Sequence, residues 1–386
     1  MGFEGDKEAR VTADGACSMR SQAWELAAKL TQLRSTMPTP PSVTFSMFGV
    51  LDGGVYNIFG PRITLALGCS TYVLYAGFFL HCDHYHNQAF TIVAGPILGI
   101  GAGLLWAGEG AIMTSYLSTA RKGSYISLFW TIFNLGGEIG RLTPFVLNYH
   151  RTKAETAHVL HVYRRFPFFS ILHPSRVFRN DESRCTNIKY SSVSAEAVEI
   201  LRLLEDASPA GWASNFFYSY HFNDVNGLMF NLRTRGLNNV LDWGAQIIGS
   251  IGLGQVLEFS FESRRRELVG ISTVALLGTA IWGGGLANQL NYSYHELPDQ
   301  LDFKTSEGAF AGPFVLHFSH GLLDSMFQSL VYWVNGALAE DSETLSRHTG
   351  FYKGVQSAGS EVSWQVHKNK VPLLNQLIVN WSPHLG

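Results

Sequence analysis

The chain has 386 residues, of which 46% are hydrophobic and only 15% charged, against roughly 25% charged in ordinary soluble domains. A net charge of −2 lacks the basic excess that nucleic-acid binding needs. The four cysteines, Cys17, Cys69, Cys82 and Cys185, have neither metal-ligand spacing nor the pattern of a disulfide framework.

Glycine is abundant at 39 residues and aromatics reach 13%, which suits close helix contacts and interfacial rings in a bilayer. Mean hydropathy is only +0.07, so long polar stretches must accompany the apolar ones. Residues 1–41 are such a stretch, charged and without the apolar region of a secretory signal. They are read as a polar cytosolic segment in which 22–35 form a short amphipathic helix. The opening "MGFEGD" lacks the Ser or Thr that a myristoylation signal wants.

Residues 42–149 are read as one transmembrane half. Residues 63–82 carry no charge, about 20 positions and enough to cross a hydrocarbon core. In 84–120 the only formal charge is Glu109. Residues 123–137 offer about 15 uncharged positions, enough only if a polar group is tolerated.

Residues 150–210 form a polar linker. Its single apolar patch, 166–172, is too short to cross, so the crossing that should return the chain after 123–149 is missing. Residues 211–370 are the second transmembrane half, with uncharged stretches at 243–257, 268–295 and 325–339; 371–386 form a tail. None of these stretches has the charged face of a soluble amphipathic helix. The reading is all-α, a polytopic transmembrane bundle with eight or nine hydrophobic segments in contact with a lipid bilayer.

Arg62, Arg121 and Arg264 follow alternate segments, whereas the intervening turns are acidic or neutral. That alternation is the positive-inside pattern. It puts the arginines in the cytosol and Asn291, in the sequon "NYS", on the outside as a glycosylation candidate.

The blocks "GGVYNIFGPRITLALG", "GAGLLWAGEGAIMTSY", "KGSYISLFWTIFNLGGEIG", "ASNFFYSYHFNDVNGLMFNLRTRGLNNVL", "AIWGGGLANQ" and "GFYKGVQSAG" resemble, in order, the fungal members of the Unc-ninety-three-like branch of the major facilitator superfamily. With the spans around them they cover roughly half of the chain. The first block is similar to the superfamily loop pattern G-x-x-x-D-x-x-G-x-R. It reads Gly53, Asn57, Gly60 and Arg62, with Asn where most transporters have Asp. A partial echo, Gly254, Glu258 and the arginines of "ESRRR", suits two halves built from related repeats.

The resemblance implies twelve spans, and some are missing or degraded here: the first, the sixth, part of the seventh and the twelfth. A truncated product or a decayed paralogue is therefore one reading of the chain.

Glu109 shares a helical face with Trp106 and Met113. Lying mid-membrane, it must face a cavity or a partner; nearer the end, it reaches the headgroups. Glu138 and Arg141, three apart, can neutralise one another, and Asn134 can supply an interhelical contact. In "GPFVLHFSHGLLDSMFQSLVYW", His317, His320, Asp324 and Gln328 fall on one helix face. A His–Asp row in a bundle interior can relay protons or hold a cation; interhelical hydrogen bonds are the alternative. No fourth ligand for a metal is evident. Asp224 and Asn226 mark a turn near an outer end, with a gate as the alternative. Trp282 with its neighbouring glycines, and "GFYKGVQSAG", read as packing surfaces.

The functional expectation is secondary transport of a small solute or ion by alternating access, coupled to protons through Asp324. The alternatives are a non-transporting regulator of a channel or receptor, because animal relatives are associated with channel regulation and receptor trafficking, or a nonfunctional product. No nucleophile–base arrangement or phosphate-cradling loop supports an enzyme. No cofactor, metal or nucleic acid is expected; transport calls for a small solute or ion, and the regulator alternative for a membrane-protein partner.

Overall fold

The computed structural model describes residues 41–85, 89–115, 122–149, 192–206, 226–258, 263–293, 299–339 and 341–381. Nearly all of these are helical, in the order α1 (Pro41–Tyr85), α2 (Ala89–Ser115), α3 (Lys122–Asn148), α4 (Val193–Asp206), α5 (Leu232–Glu258), α6 (Ser263–Gln289), α7 (Ala311–Leu338), α8 (Ser342–Lys368) and α9 (Leu373–Trp381). The only strand-like pairing among the described residues is an isolated bridge between Phe230 and Leu301.

α1 is two helices joined at a kink. Gly60 has φ 77°, with Pro61 next in the chain. That left-handed backbone favours glycine, and Pro61 has no N–H to continue the helical ladder. The motif read as a loop therefore lies mostly in helix: Gly53 and Asn57 belong to the first limb, and only Gly60 to Arg62 make the turn.

In chain order the helices fall into two groups, α1–α3 and α5–α9, and these pack on each other along two seams. In one, α1 packs on α8; in the other, α3 packs on α5. The first seam depends on glycine. A Cβ at Gly53 would lie 2.5 Å from the Arg347 Cα, and one at Gly350 would lie 2.5 Å from the Gly49 carbonyl oxygen. Removing side chains lets backbones approach closely, which is how helices associate where lipid gives no hydrophobic drive. Between the seams, α2 and α7 face each other. The core cluster includes Trp130, Ile126, Leu253, Leu323 and Tyr332, while Leu67, Val146 and Leu276 stay exposed on the outside of the bundle.

Among the described residues two helical stretches, Val93–Met113 and Arg265–Gln289, are long and apolar enough to cross a membrane by length and composition alone. The other long helices carry polar residues that the bundle buries.

The contacts define two faces. The kink at Gly60, the N-terminus of α3, α4 and the N-terminus of α8 share the face on which Arg62 is exposed, here the basic face. Tyr149, the N-terminus of α5, Asn291 and Asp302 share the opposite face. Tyr149 and α4 thus stand on opposite faces. Residues 150–191, in which the sequence offers no stretch long enough to cross, connect the two.

The connection itself, with the expected missing sixth span and part of the seventh, lies outside the described residues, as do 1–40 and Arg121. Past Val371, α9 forms and packs on α6.

Candidate functional site

The interior between α2, α3, α7 and α8 holds one ammonium in a ring of aromatic residues. Lys353 Nζ lies 4.3 Å from the Trp106 ring centroid, 5.0 Å from Tyr352, 5.5 Å from Tyr332 and 5.7 Å from Trp130. It donates to Gln328 Oε1 at 2.7 Å and to Gln356 Oε1 at 2.9 Å. Gln328 Nε2 in turn donates to Asp324 Oδ1 at 3.0 Å. Both Asp324 and Glu109 lie within electrostatic reach of Lys353.

Local packing sets this arrangement. Gly110 lets α2 press against α8 and α7, since a Cβ there would lie 2.1 Å from Thr349 Cγ2 and 2.9 Å from the Tyr332 ring. The adjacent Glu109 is thereby carried to the boundary of the two helix groups. Glu109 Oε2 is buried and has no hydrogen-bond partner among the described residues.

A second charged group continues the row toward α5. Arg141 lies 5.0 Å from the Trp243 ring centroid, and Asp242 interacts electrostatically with both Arg141 and Asp324. Gln246 Nε2 donates to Asp242 Oδ2 at 3.2 Å. His317 is buried, with neither ring nitrogen hydrogen-bonded within the described residues, and it feels Arg141. His320 turns toward α6, where its ring meets Trp282 edge to face at 5.2 Å.

The row therefore runs Glu109, Lys353, Asp324, Asp242, Arg141. Glu109 and Arg141 come from the first helix group, the other three from the second. Charges inside a membrane bundle need such partners or a watered path.

On the basic face, polar groups fasten the two helix groups together. Asn57 Nδ2 donates to the Glu343 carbonyl oxygen at 3.1 Å and to Glu196 Oε2 at 3.2 Å. Ser346 Oγ donates to Asn57 Oδ1 at 2.8 Å. Arg347 reaches the Glu196 carboxylate with Nε at 2.9 Å and Nη2 at 3.0 Å, the fork geometry that suits guanidinium and carboxylate. Glu196 sits on α4, whose start is capped by Ser192 Oγ accepting from the Ala195 N–H at 3.3 Å. Lys122 Nζ also donates to the Gly336 carbonyl oxygen near the end of α7, where the helix dipole favours a cation.

The opposite face has its own fastening. Arg233 binds Asp302 through Nε at 2.9 and 3.0 Å and also through Nη2. The Arg233 guanidinium holds the Asp302 carboxyl down at about 2. Lys304 Nζ lies 3.8 Å from the Tyr149 ring centroid. Asn226 Nδ2 donates to Asn239 Oδ1 at 3.2 Å, and Asn226 Oδ1 accepts from Asn238 at 2.9 Å. Asp224 lies outside the described residues. Asn291 is exposed in the turn after α6.

Sequence reasoning named Glu109, Asp324, Gln328, His317 and His320, and the structure gathers Glu109, Asp324 and Gln328 around Lys353. Lys353, Asp242 and Glu196 escaped it. Asn134 is fully buried, and neither atom of its amide group is hydrogen-bonded within the described residues.

Two helix groups, two seams and a charged interior define a polytopic membrane protein of the major facilitator type. Solved structures agree on the fold. A bacterial homologue of the iron transporter ferroportin, in an outward-facing state, superposes with TM-score 0.58 at 12% identity over 95% of this chain and 93% of its own. The proton:xylose symporter XylE superposes with TM-score 0.55 at 11% identity over 93% and 89%.

Residues 42–178 match the family described as "Ion channel regulatory protein UNC-93". UNC93-like protein 1 of Arabidopsis thaliana is 62% identical over 353 residues, 88% of this chain and 77% of the relative. An UNC93-like protein of Schizosaccharomyces pombe is 34% identical, over 88% and 70%. The chain belongs to the UNC93-like family.

Proposed function

We propose that the chain is a secondary transporter that moves a small solute or ion by alternating access, with proton movement through Glu109 and Asp324. The observation that carries this is the placement of Lys353 between two carboxylates that belong to different helix groups. When the groups rock against each other, the distance from Lys353 to Glu109 changes, while that to Asp324 is held through Gln328. Proton gain or loss at either acid then favours one arrangement. That differential interaction is what coupling requires. Asp242, Arg141 and His317 face the same interior and share its charge balance.

The test is proton entry into reconstituted vesicles under an imposed potential, read with a trapped pH-sensitive dye. Wild-type protein is expected to conduct, and Asp324→Asn to reduce the flux at least about tenfold, because a lost acid–base partner costs 10²–10⁴ in typical proton-transfer steps. Equal flux in both, or none in either, overturns the reading.

The family description over residues 42–178 supports a second reading, regulation of a membrane-protein partner without transport. Co-purification of a channel or receptor, with no flux in the vesicles, favours it.

A further inference from the structure

Around Lys353 the hydrogen bonding is lopsided. The ammonium is supplied with two amide oxygens and with two carboxylates in electrostatic reach. The oxygens nearby are not. Glu109 Oε2, Tyr332 Oη, Tyr352 Oη and Thr349 Oγ1 are all buried without a hydrogen-bond partner among the described residues. They belong to one neighbourhood: Gly110, next to Glu109, packs against Thr349 and the Tyr332 ring, and the Tyr332 and Tyr352 rings lie 5.6 Å apart.

Charge points the same way. Two carboxyl groups, Glu109 and Asp324, face the single amine of Lys353, so with all three ionised this part of the site lacks one positive charge. Asp242 and Arg141 offset each other beside it. Buried oxygen acceptors, one missing positive charge and several ring faces describe a receptor for a monovalent cation with N–H donors.

We propose that the central site binds one small organic ammonium ion beside Lys353, its N–H groups donated to Glu109 and the neighbouring hydroxyls and its charge against the Trp106 and Tyr352 rings. Aromatic faces attract weakly hydrated cations, whereas a divalent metal wants a fuller oxygen or imidazole set. Among the described residues no cluster of three or more His, Cys, Asp or Glu could hold a metal. An anion finds Lys353 already engaged. Because a proton on Glu109 fills the same charge deficit, ammonium and proton exclude each other there. The chemistry deepens the transport reading and rests on it for its purpose, but the binding itself is an equilibrium property.

Purified full-length chain in detergent is titrated with ethylammonium chloride and, at matched ionic strength, with sodium chloride, following tryptophan fluorescence. A saturable change with ethylammonium alone is expected. Glu109→Gln should weaken it about tenfold or more, the equivalent of about 1.4 kcal/mol, and Trp106→Ala severalfold through loss of a ring face. Lys353→Met, which removes the resident cation, should tighten it.

Thermal melts establish that each variant is folded. Where one is not, the remaining variants decide. No saturable response in folded wild type and Lys353→Met, an equal response to sodium, or binding untouched by Glu109→Gln overturns the proposal. Binding without proton flux upholds this site and sinks transport; flux without binding does the reverse.

Discussion

Lys353 on α8 points its ammonium at the Trp106 ring of α2, 4.3 Å from the centroid, and so joins the two helix groups through one side chain. Around that contact lie the acids Glu109 and Asp324, one from each group.

Removing the cation strands both carboxylates. Lys353→Met should lower stability in detergent at neutral pH by about 3 kcal/mol, the usual cost of leaving a buried charge unpaired. Adding Glu109→Gln to Lys353→Met should recover part of the loss, because one stranded charge is then gone. Thermal melts of the two variants and wild type form the check. A double variant less stable than Lys353→Met contradicts the pairing.

On the basic face, Glu196 accepts from both Asn57 and Arg347, and the Arg347–Glu196 pair is only 12% and 3% exposed. Glu196→Ala leaves Arg347 buried without its fork partner, at about 3 kcal/mol. Expressed as opening, that loss should free α4 for proteolysis while the transmembrane helices stay protected. Limited proteolysis with mass mapping reads it. Unchanged cleavage within 192–206 would show that the clasp does not hold this face shut.

Acid should undo the other fastening. Asp302 is held down at about 2 by Arg233, below the value near 4 of an unfolded Asp. A depressed acid contributes stability that is complete above the unfolded value and disappears as pH falls from about 4 through 2. Wild type and Asp302→Asn should therefore melt apart at pH 6, with the gap reduced by about half at pH 3. A constant gap across that range contradicts the clasp.

Asn291 stands exposed on the face opposite Arg62. Expressed in a cell that glycosylates, the chain should show a mobility shift that glycosidase and Asn291→Gln both abolish. No shift in an inserted chain contradicts an outward position for this turn.

The alternation of uncharged stretches with basic punctuation displayed the helical membrane fold, because lipid tolerates charge only where a partner waits. Helical spacing likewise set Asp324 and Gln328 on one face, and a lone acid drew attention to Glu109. Lys353 was hidden by its surroundings: "GFYKGVQSAG" reads as a polar, small-residue helix, and nothing local says that Trp106, 247 positions away by residue number, will receive its ammonium.

Asp242 stands just before the uncharged stretch 243–257, and nothing in the local sequence marks it as facing the interior. Glu196 fell in a stretch taken for linker, although "VSAEAVEILRLLED" has the apolar spacing of an amphipathic helix. His317 and His320 share a face by spacing, yet a modest rotation sends His320 to Trp282. Partners across a bundle are set by packing, which local spacing does not encode.

The most direct test joins the charged cluster to movement. Spin labels at Phe59 and Leu338, both exposed at the basic face and one in each helix group, report the separation of the groups in a chain whose cysteines are replaced by serine. Lowering the pH from 8 to 5 should shift the distance distribution in otherwise wild-type protein and leave it fixed in the Glu109→Gln, Asp324→Asn double variant. A distribution that ignores pH in the wild type, or that still responds in the double variant, would contradict coupling through these two acids.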